Sequence, residues 1–199
     1  SIANLQYPKL PLAKDSISTD ETMIKFNSQA SLNYNVSTDA IYKAGYGAVS
    51  MSNISADNLN LAIHSVPLPK LQAQNIGLSV SANATGIYSI SLKDVVSVPR
   101  IFDVWLMDNY KKDSLDMRQN GAYQFYLNRT DTSSFGSRRF TLVIRQNQAY
   151  AYKLINFTAN KMTEARQVQV AWDTRNEENY TNFTVERSTD NGATFSVLG

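Results

Sequence analysis

The chain has no cysteine, one histidine and two tryptophans in 199 residues. Without cysteine there can be no disulfide, thiolate metal site, cysteine nucleophile or redox motif. Small extracellular domains of eukaryotes often rely on disulfides, whereas bacterial surface sandwiches commonly do without them by building a large enough core. A run of 18 apolar residues is also missing, so no membrane-spanning helix is expected. The N-terminus lacks the basic and apolar regions of a signal peptide. An excess of one charge sign is nearly absent, since 19 Lys and Arg against 17 Asp and Glu leave a formal +2. That excess is too small to argue for nucleic acid or an anionic membrane surface.

What is present points to strands. Hydrophobic residues make up 43% and charged residues 18%, a globular balance rather than a disordered one. Eleven Tyr and eight Phe suit strands, which favour aromatic and β-branched side chains. Strand-like runs recur at 22–27, 46–51, 59–66, 75–82, 86–94, 101–108, 122–128 and 138–145, separated by turns rich in Ser, Asn, Asp and Gly. Val104, Leu106, Phe125, Phe140, Leu142 and Ile144 fall at alternating positions and are expected to point inward, with Trp105 as a further core anchor. Asn120-Gly121 is expected to supply a positive-φ residue for a reversal. Helical patterning is thin, with only 39–44 and 163–166 long enough for a turn or two. The expected fold class is all-β, an antiparallel β-sandwich of jelly-roll or Greek-key type. Residues 1–19, with Pro8 and Pro11, read as a linker or edge segment, 20–150 as the sandwich domain, and 151–199 as a separate partial module.

In that last segment Phe157, Val168, Val170 and Trp172 alternate with polar residues, as do Phe183 and Val185. The stretch resembles the first half of a fibronectin-type-III-like module, a fold that needs about seven strands and about 100 residues. The chain is therefore expected to be part of a longer polypeptide. Upstream, Ser55–Pro67, Val104–Phe125 and Arg139–Ile144 follow an order of motifs: S.DG..L.I...P, then V.L.D......DL..G.Y.F, then RF.L.F. In this order they resemble a β-sandwich domain found near the C-termini of large secreted proteins of type-IX-secreting bacteria, often followed by a fibronectin-III-like module. The resemblance covers about residues 20–199 and implies a secreted or outer-cell-surface location. Its implied partners are neighbouring domains of the same polypeptide and a cell-surface glycan or protein.

Several residues invite chemistry. His64 lies in the alternating run 59–66 at the parity opposite Leu59, Leu61 and Ile63, which puts it on the expected solvent face. A lone histidine with no sequence-near acid does not make a metal site or a general base. Asp103, Asp108, Asp113 and Asp116 cluster in sequence; glycoside hydrolysis needs two carboxylates at a set separation, but turn formation or a solvated face is the simpler reading, with surface calcium next. Trp105, Tyr110, Tyr123, Phe125 and Tyr126 could form a sugar-stacking platform, although one face of each strand must be core. Ser188–Phe195 matches the S-x-D-x-G-x-T-aromatic Asp box, here a single copy and so read as a hairpin in which Asp190 caps the turn and Phe195 packs beneath. Sequons begin at Asn35, Asn53, Asn83, Asn128, Asn156, Asn179 and Asn182, and Asp15-Ser16-Ile17 and Asp113-Ser114-Leu115 resemble a short bacterial O-glycosylation motif. No residue is assigned as catalytic, cofactor-binding or metal-ligating, and no cofactor is expected. The expected function is a non-catalytic structural, spacer or adhesion module, with a carbohydrate-binding module attached to a secreted glycoside hydrolase as the alternative.

Overall fold

A computed structural model describes residues 8–15, 18–27, 29–69, 72–94, 98–147, 153–163, 167–175 and 183–198. The chain divides into two compact units, Ser1–Ala151 and Tyr152–Gly199. The described residues are β-strands and connections, with no α-helix among them and one 3-10 turn at Thr132–Ser134. Ala40–Ile41, inside one of the two stretches considered for a helical turn, is a strand; of the other, residues 164–166 lie outside the described residues.

Eleven strands of the first unit share one hydrogen-bonded sheet. In chain order they are β1 (Lys9–Ala13), β2 (Thr19–Phe26), β3 (Ala40–Ile41), β4 (Val49–Ile54), β5 (Asn60–Val66), β6 (Gln74–Ala82), β7 (Gly86–Ser91), β8 (Phe102–Asp108), β9 (Asp113–Asp116), β10 (Ala122–Leu127) and β11 (Gly136–Gln146). Their spatial order is β10-β7-β1-β2-β5-β4-β6-β11-β8-β9, with β3 beside β5. The sheet is mixed rather than purely antiparallel, because β2 runs parallel to β5 from Met23↔Ile63 to Phe26↔Val66. Residues 9–13, within the expected linker or edge segment, are instead paired on both sides, to β2 and to β7. Leu10 and Leu12 supply the reason: both are fully buried, and apolar side chains at that spacing stabilise a strand only where its face is covered.

Period-two alternation places the core. Val104, Leu106, Phe125, Phe140, Leu142 and Ile144 are all at most 2% exposed. On β6 the even positions Ile76, Leu78, Val80 and Ala82 go inward, while Asn75, Gly77, Ser79 and Ser81 face outward. Phe125 of β10 and Phe140 of β11 belong to opposite arms of the strand path, yet their rings meet edge-on at 4.7 Å. The inward side chains form one contiguous apolar cluster. Trp105 is not part of it: between Val104 and Leu106 it takes the other face of β8, where the Arg145 guanidinium lies 5.3 Å from its ring.

The turns follow local chemistry. Between β4 and β5, Asn58 adopts φ 64° where the resembled motif carries glycine, and asparagine is the residue that best tolerates that region after glycine. Ser55 closes the same turn, its Oγ accepting from the Leu59 amide at 3.0 Å. Asn120 and Gly121 do not have positive φ; the left-handed residue of this region is Lys112, at φ 55° in the β8–β9 turn. Asn120 instead donates through its backbone and side-chain amides to the Asp116 carbonyl.

In the second unit, β12 (Lys153–Lys161) pairs with β13 (Val168–Arg175), and a short hairpin joins β14 (Glu186–Arg187) to β15 (Ser196–Val197). Phe157 sits opposite Trp172 and Ala159 opposite Val170, so the alternating apolar residues share a face. Phe157 is 54% exposed on that face, and Trp172 lies 6.1 Å from the Phe183 ring.

Candidate functional site

Among the described residues the densest polar chemistry is a buried ion pair. Asp108 ends β8 at the inward parity of Val104 and Leu106, and Arg139 comes from the start of β11. The side chains of both are fully buried. Arg139 donates through Nη2 to Asp108 Oδ2 at 2.8 Å and through Nε to both carboxylate oxygens at 3.1 and 3.2 Å. Its Nη1 donates to the carbonyls of Tyr126, at 2.8 Å, and Ser134. The guanidinium carbon also lies 4.7–5.0 Å from the rings of Phe125, Phe140 and Tyr110, within cation–π range.

Asp108 is equally occupied. It accepts the backbone N–H groups of Tyr110 and Lys111 at 3.1 Å each and the Tyr123 hydroxyl at 3.0 Å. Burial alone would raise its pKa, but the hydrogen bonds and charge of Arg139, with the Lys111 amide and Tyr123 hydroxyl, outweigh it and hold the carboxyl below its ordinary value. Burial, then the adjacent Asp108 charge, pushes the Tyr123 phenol up, so the hydroxyl stays a donor. The cluster thus ties β8, β10, β11 and the Thr132–Ser134 turn together through groups whose partners are already made.

The other sequence candidates scatter. Asp103 faces outward on β8, 3.7 Å from Arg145 and hydrogen-bonded to Asn147. Asp113 and Asp116 belong to β9, which the sequence reading takes as turn, and each accepts a nearby backbone amide, of Ser114 at 2.8 Å and Arg118 at 2.9 Å. Asp103 and Asp108 therefore lie on opposite faces and do not converge on one point. Among the described residues no group of three or more His, Cys, Asp or Glu side chains could hold a metal ion. Of the aromatic set, Tyr123 and Phe125 are core, while Tyr126 is 51% and Tyr110 45% exposed. Tyr110 is fastened by its hydroxyl to Asp131 at 2.8 Å. Tyr126 and Trp105 lie on strands from opposite arms of the strand path, each on the face of its strand away from the core.

His64 corrects the sequence reading. It keeps the parity opposite Leu61, but the segment 31–39 covers that face and leaves it 1% exposed. Hydrogen bonds anchor the cover: the Ala56 amide to the Leu32 carbonyl at 2.8 Å, the Tyr34 amide to Asp57 at 3.0 Å and the Ser65 amide to Asp39 at 2.7 Å. Burial lowers the His64 pKa against the opposing pull of Asp39, the Leu32 carbonyl and Asp57, so the imidazole is neutral at pH 7.

The Asp box forms the expected hairpin. Asp190 accepts from the Thr194 amide at 2.9 Å, the Thr194 hydroxyl at 2.6 Å and the Ser188 hydroxyl at 2.7 Å, and Gly192 takes φ 89°. Those bonds, led by the Thr194 and Ser188 side chains, lower the Asp190 pKa to about 2. Phe195 does not pack beneath the turn; it is 63% exposed. Among the sequons, Asn53 is fully buried and donates to Thr22 Oγ1 at 2.8 Å, which removes it as an acceptor for glycan in the folded chain. Asn179, Asn182, Ser16 and Ile17 lie outside the described residues.

No family model, no curated protein and no solved structure matches the chain.

Proposed function

We propose that this chain is a non-catalytic scaffold, a spacer or adhesion module of a large secreted or cell-surface bacterial protein. The observation that carries the reading is the Arg139–Asp108 cluster, in which the buried charged groups are spent on joining strands; Arg139 borders a cleft of about 680 Å³, but its side chain is fully buried and its Nε, Nη1 and Nη2 all donate within the protein. Opposed aromatic rings from β10 and β11 support folding of the sheet into a two-layer sandwich, and the paired face of β12 and β13 supports a fibronectin-III-like half module. The type-IX secretion route and neighbouring domains as partners follow from the motif order 55–67, 104–125 and 139–144. Exposed Tyr126 and Tyr110 favour the second reading, a carbohydrate-binding module attached to a secreted glycoside hydrolase. A polysaccharide array combined with a chromogenic-glycoside panel tests both. The scaffold reading expects no turnover and no aromatic-dependent polysaccharide binding. Binding lost on Tyr126→Ala would establish the second reading, and turnover lost on Asp108→Asn with an unchanged fold would make the chain an enzyme.

A further inference from the structure

The outward face of β5, β4 and β6 holds a cleft of about 580 Å³. His64 and Asn60 reach it from β5, Ile54 from the end of β4, Asn75 and Gly77 from β6, and Arg138 from β11. The volume is in the range of sites that enclose small molecules. Gly77 keeps the floor low, because a Cβ there would come within 3.3 Å of Ile54 Cδ1.

His64 points to a ligand. It is 1% exposed, one ring nitrogen approaches the Leu32 carbonyl, and the other has no partner within the protein. The Leu32 carbonyl has two lone pairs and serves both the Ala56 amide and the ring, so it is the ring's second nitrogen that is left over. A buried polar group left unpaired is costly, and such groups persist where function requires them. With its N–H turned to the Leu32 carbonyl, the neutral imidazole leaves one acceptor, while each asparagine amide offers a donor and an acceptor. The cleft therefore presents mixed donors and acceptors beside the aliphatic side chains of Leu32 and Ile54. That pairing matches a polyhydroxylated ring, whose hydroxyls both give and accept hydrogen bonds while its C–H face is apolar. Arg138 is the cationic side chain on the lining, and no carboxylate stands on it. Asp39 and Asp57 act on His64 from the covering loop and the β4–β5 turn.

We propose that the His64 cleft binds a single saccharide unit, an acidic one more tightly than its neutral counterpart. The site goes beyond the scaffold reading and differs from the Tyr110 and Tyr126 surface, so its failure leaves the scaffold reading standing. A ligand of about a dozen heavy atoms held at this level of contact gives a Kd of about 1 mM.

The test is amide chemical-shift mapping by NMR of the full chain, titrated with glucuronic acid and with glucose. Expected are saturable shifts at Asn60, His64, Asn75, Gly77 and Arg138, with glucuronic acid binding several-fold tighter. Arg138→Ala should remove that preference, and Asn75→Ala should weaken both sugars several-fold; both residues are exposed, so the fold tolerates the change. His64→Leu should abolish binding while leaving the free protein as stable or more so, because an unpaired buried polar group gives way to an apolar one. Tyr126→Ala should leave binding unchanged. Absence of saturable shifts up to about 20 mM sugar, some twenty times the expected Kd, would overturn the proposal. Shifts that map to Tyr126, or that survive His64→Leu, would overturn it as well.

Discussion

Replacing Arg139 with Met tests the buried ion pair most directly. The side chain fits the same space with a flexible apolar stem, so the packing loss is small and the electrostatic loss dominates. What remains is Asp108, fully buried, stripped of the bidentate partner at 2.8–3.2 Å and keeping only two amides and one hydroxyl. The carbonyls of Tyr126 and Ser134 lose their donor as well. Breaking a buried pair from one side costs about 3–5 kcal/mol. By contrast, the Lys9–Glu21 pair, at 3.6 Å with both side chains a third or more exposed, is worth about 0–1 kcal/mol. At about 2–4 °C per kcal/mol for a chain of this size, Arg139→Met should lower the melting temperature by about 10 °C and Lys9→Met by about 4 °C or less. Urea unfolding at pH 7 would measure both. Removing both charges, by Asp108→Leu with Arg139→Met, should recover much of the loss, because apolar replacements of a buried pair are often neutral. A single Arg139→Met that costs less than about 1 kcal/mol would refute the reasoning, since the charge left behind would then be solvated.

Three further outcomes follow from the same geometry. Asp108 has a folded pKa below its unfolded one, so its stabilisation is full above the unfolded value and fades as pH falls through the folded value; urea midpoints should drop with acid, and less so in Asp108→Asn. Trp105→Phe, on the outward face, should cost under about 1.5 kcal/mol, whereas Phe140→Ala in the core should cost about 3–5 kcal/mol by thermal or urea unfolding. The Asp190 carboxyl carbon should titrate near pH 2 by NMR, moving toward ordinary values when Thr194→Val removes one of its donors, and Gly192→Ala should strain the hairpin at φ 89° and weaken it by about 1 kcal/mol.

Alternation by itself determined most of the strands and their faces. The eight runs read from 22–27 to 138–145 each overlap a strand, and Val104, Leu106, Phe125, Phe140, Leu142 and Ile144 are buried as their parity implies, because side-chain direction in a strand is a local property of period two. Strands with weak local signals escaped. Lys9–Ala13 has Pro8 just before it and Pro11 at its centre, Ala40–Ile41 is too short to alternate, and Asp113–Asp116 reads as a turn until β8 offers it partners. Tertiary structure alone decided the chemistry. Strict alternation with Phe140, Leu142 and Ile144 would send Arg139 outward, but the ladder slips between Gly136 and Phe140, and the irregularity lets consecutive residues turn inward. His64 likewise keeps its outward parity and is buried only because residues 31–39 fold over it through bonds to Ala56, Asp57 and Ser65, contacts that no reading of its own strand contains.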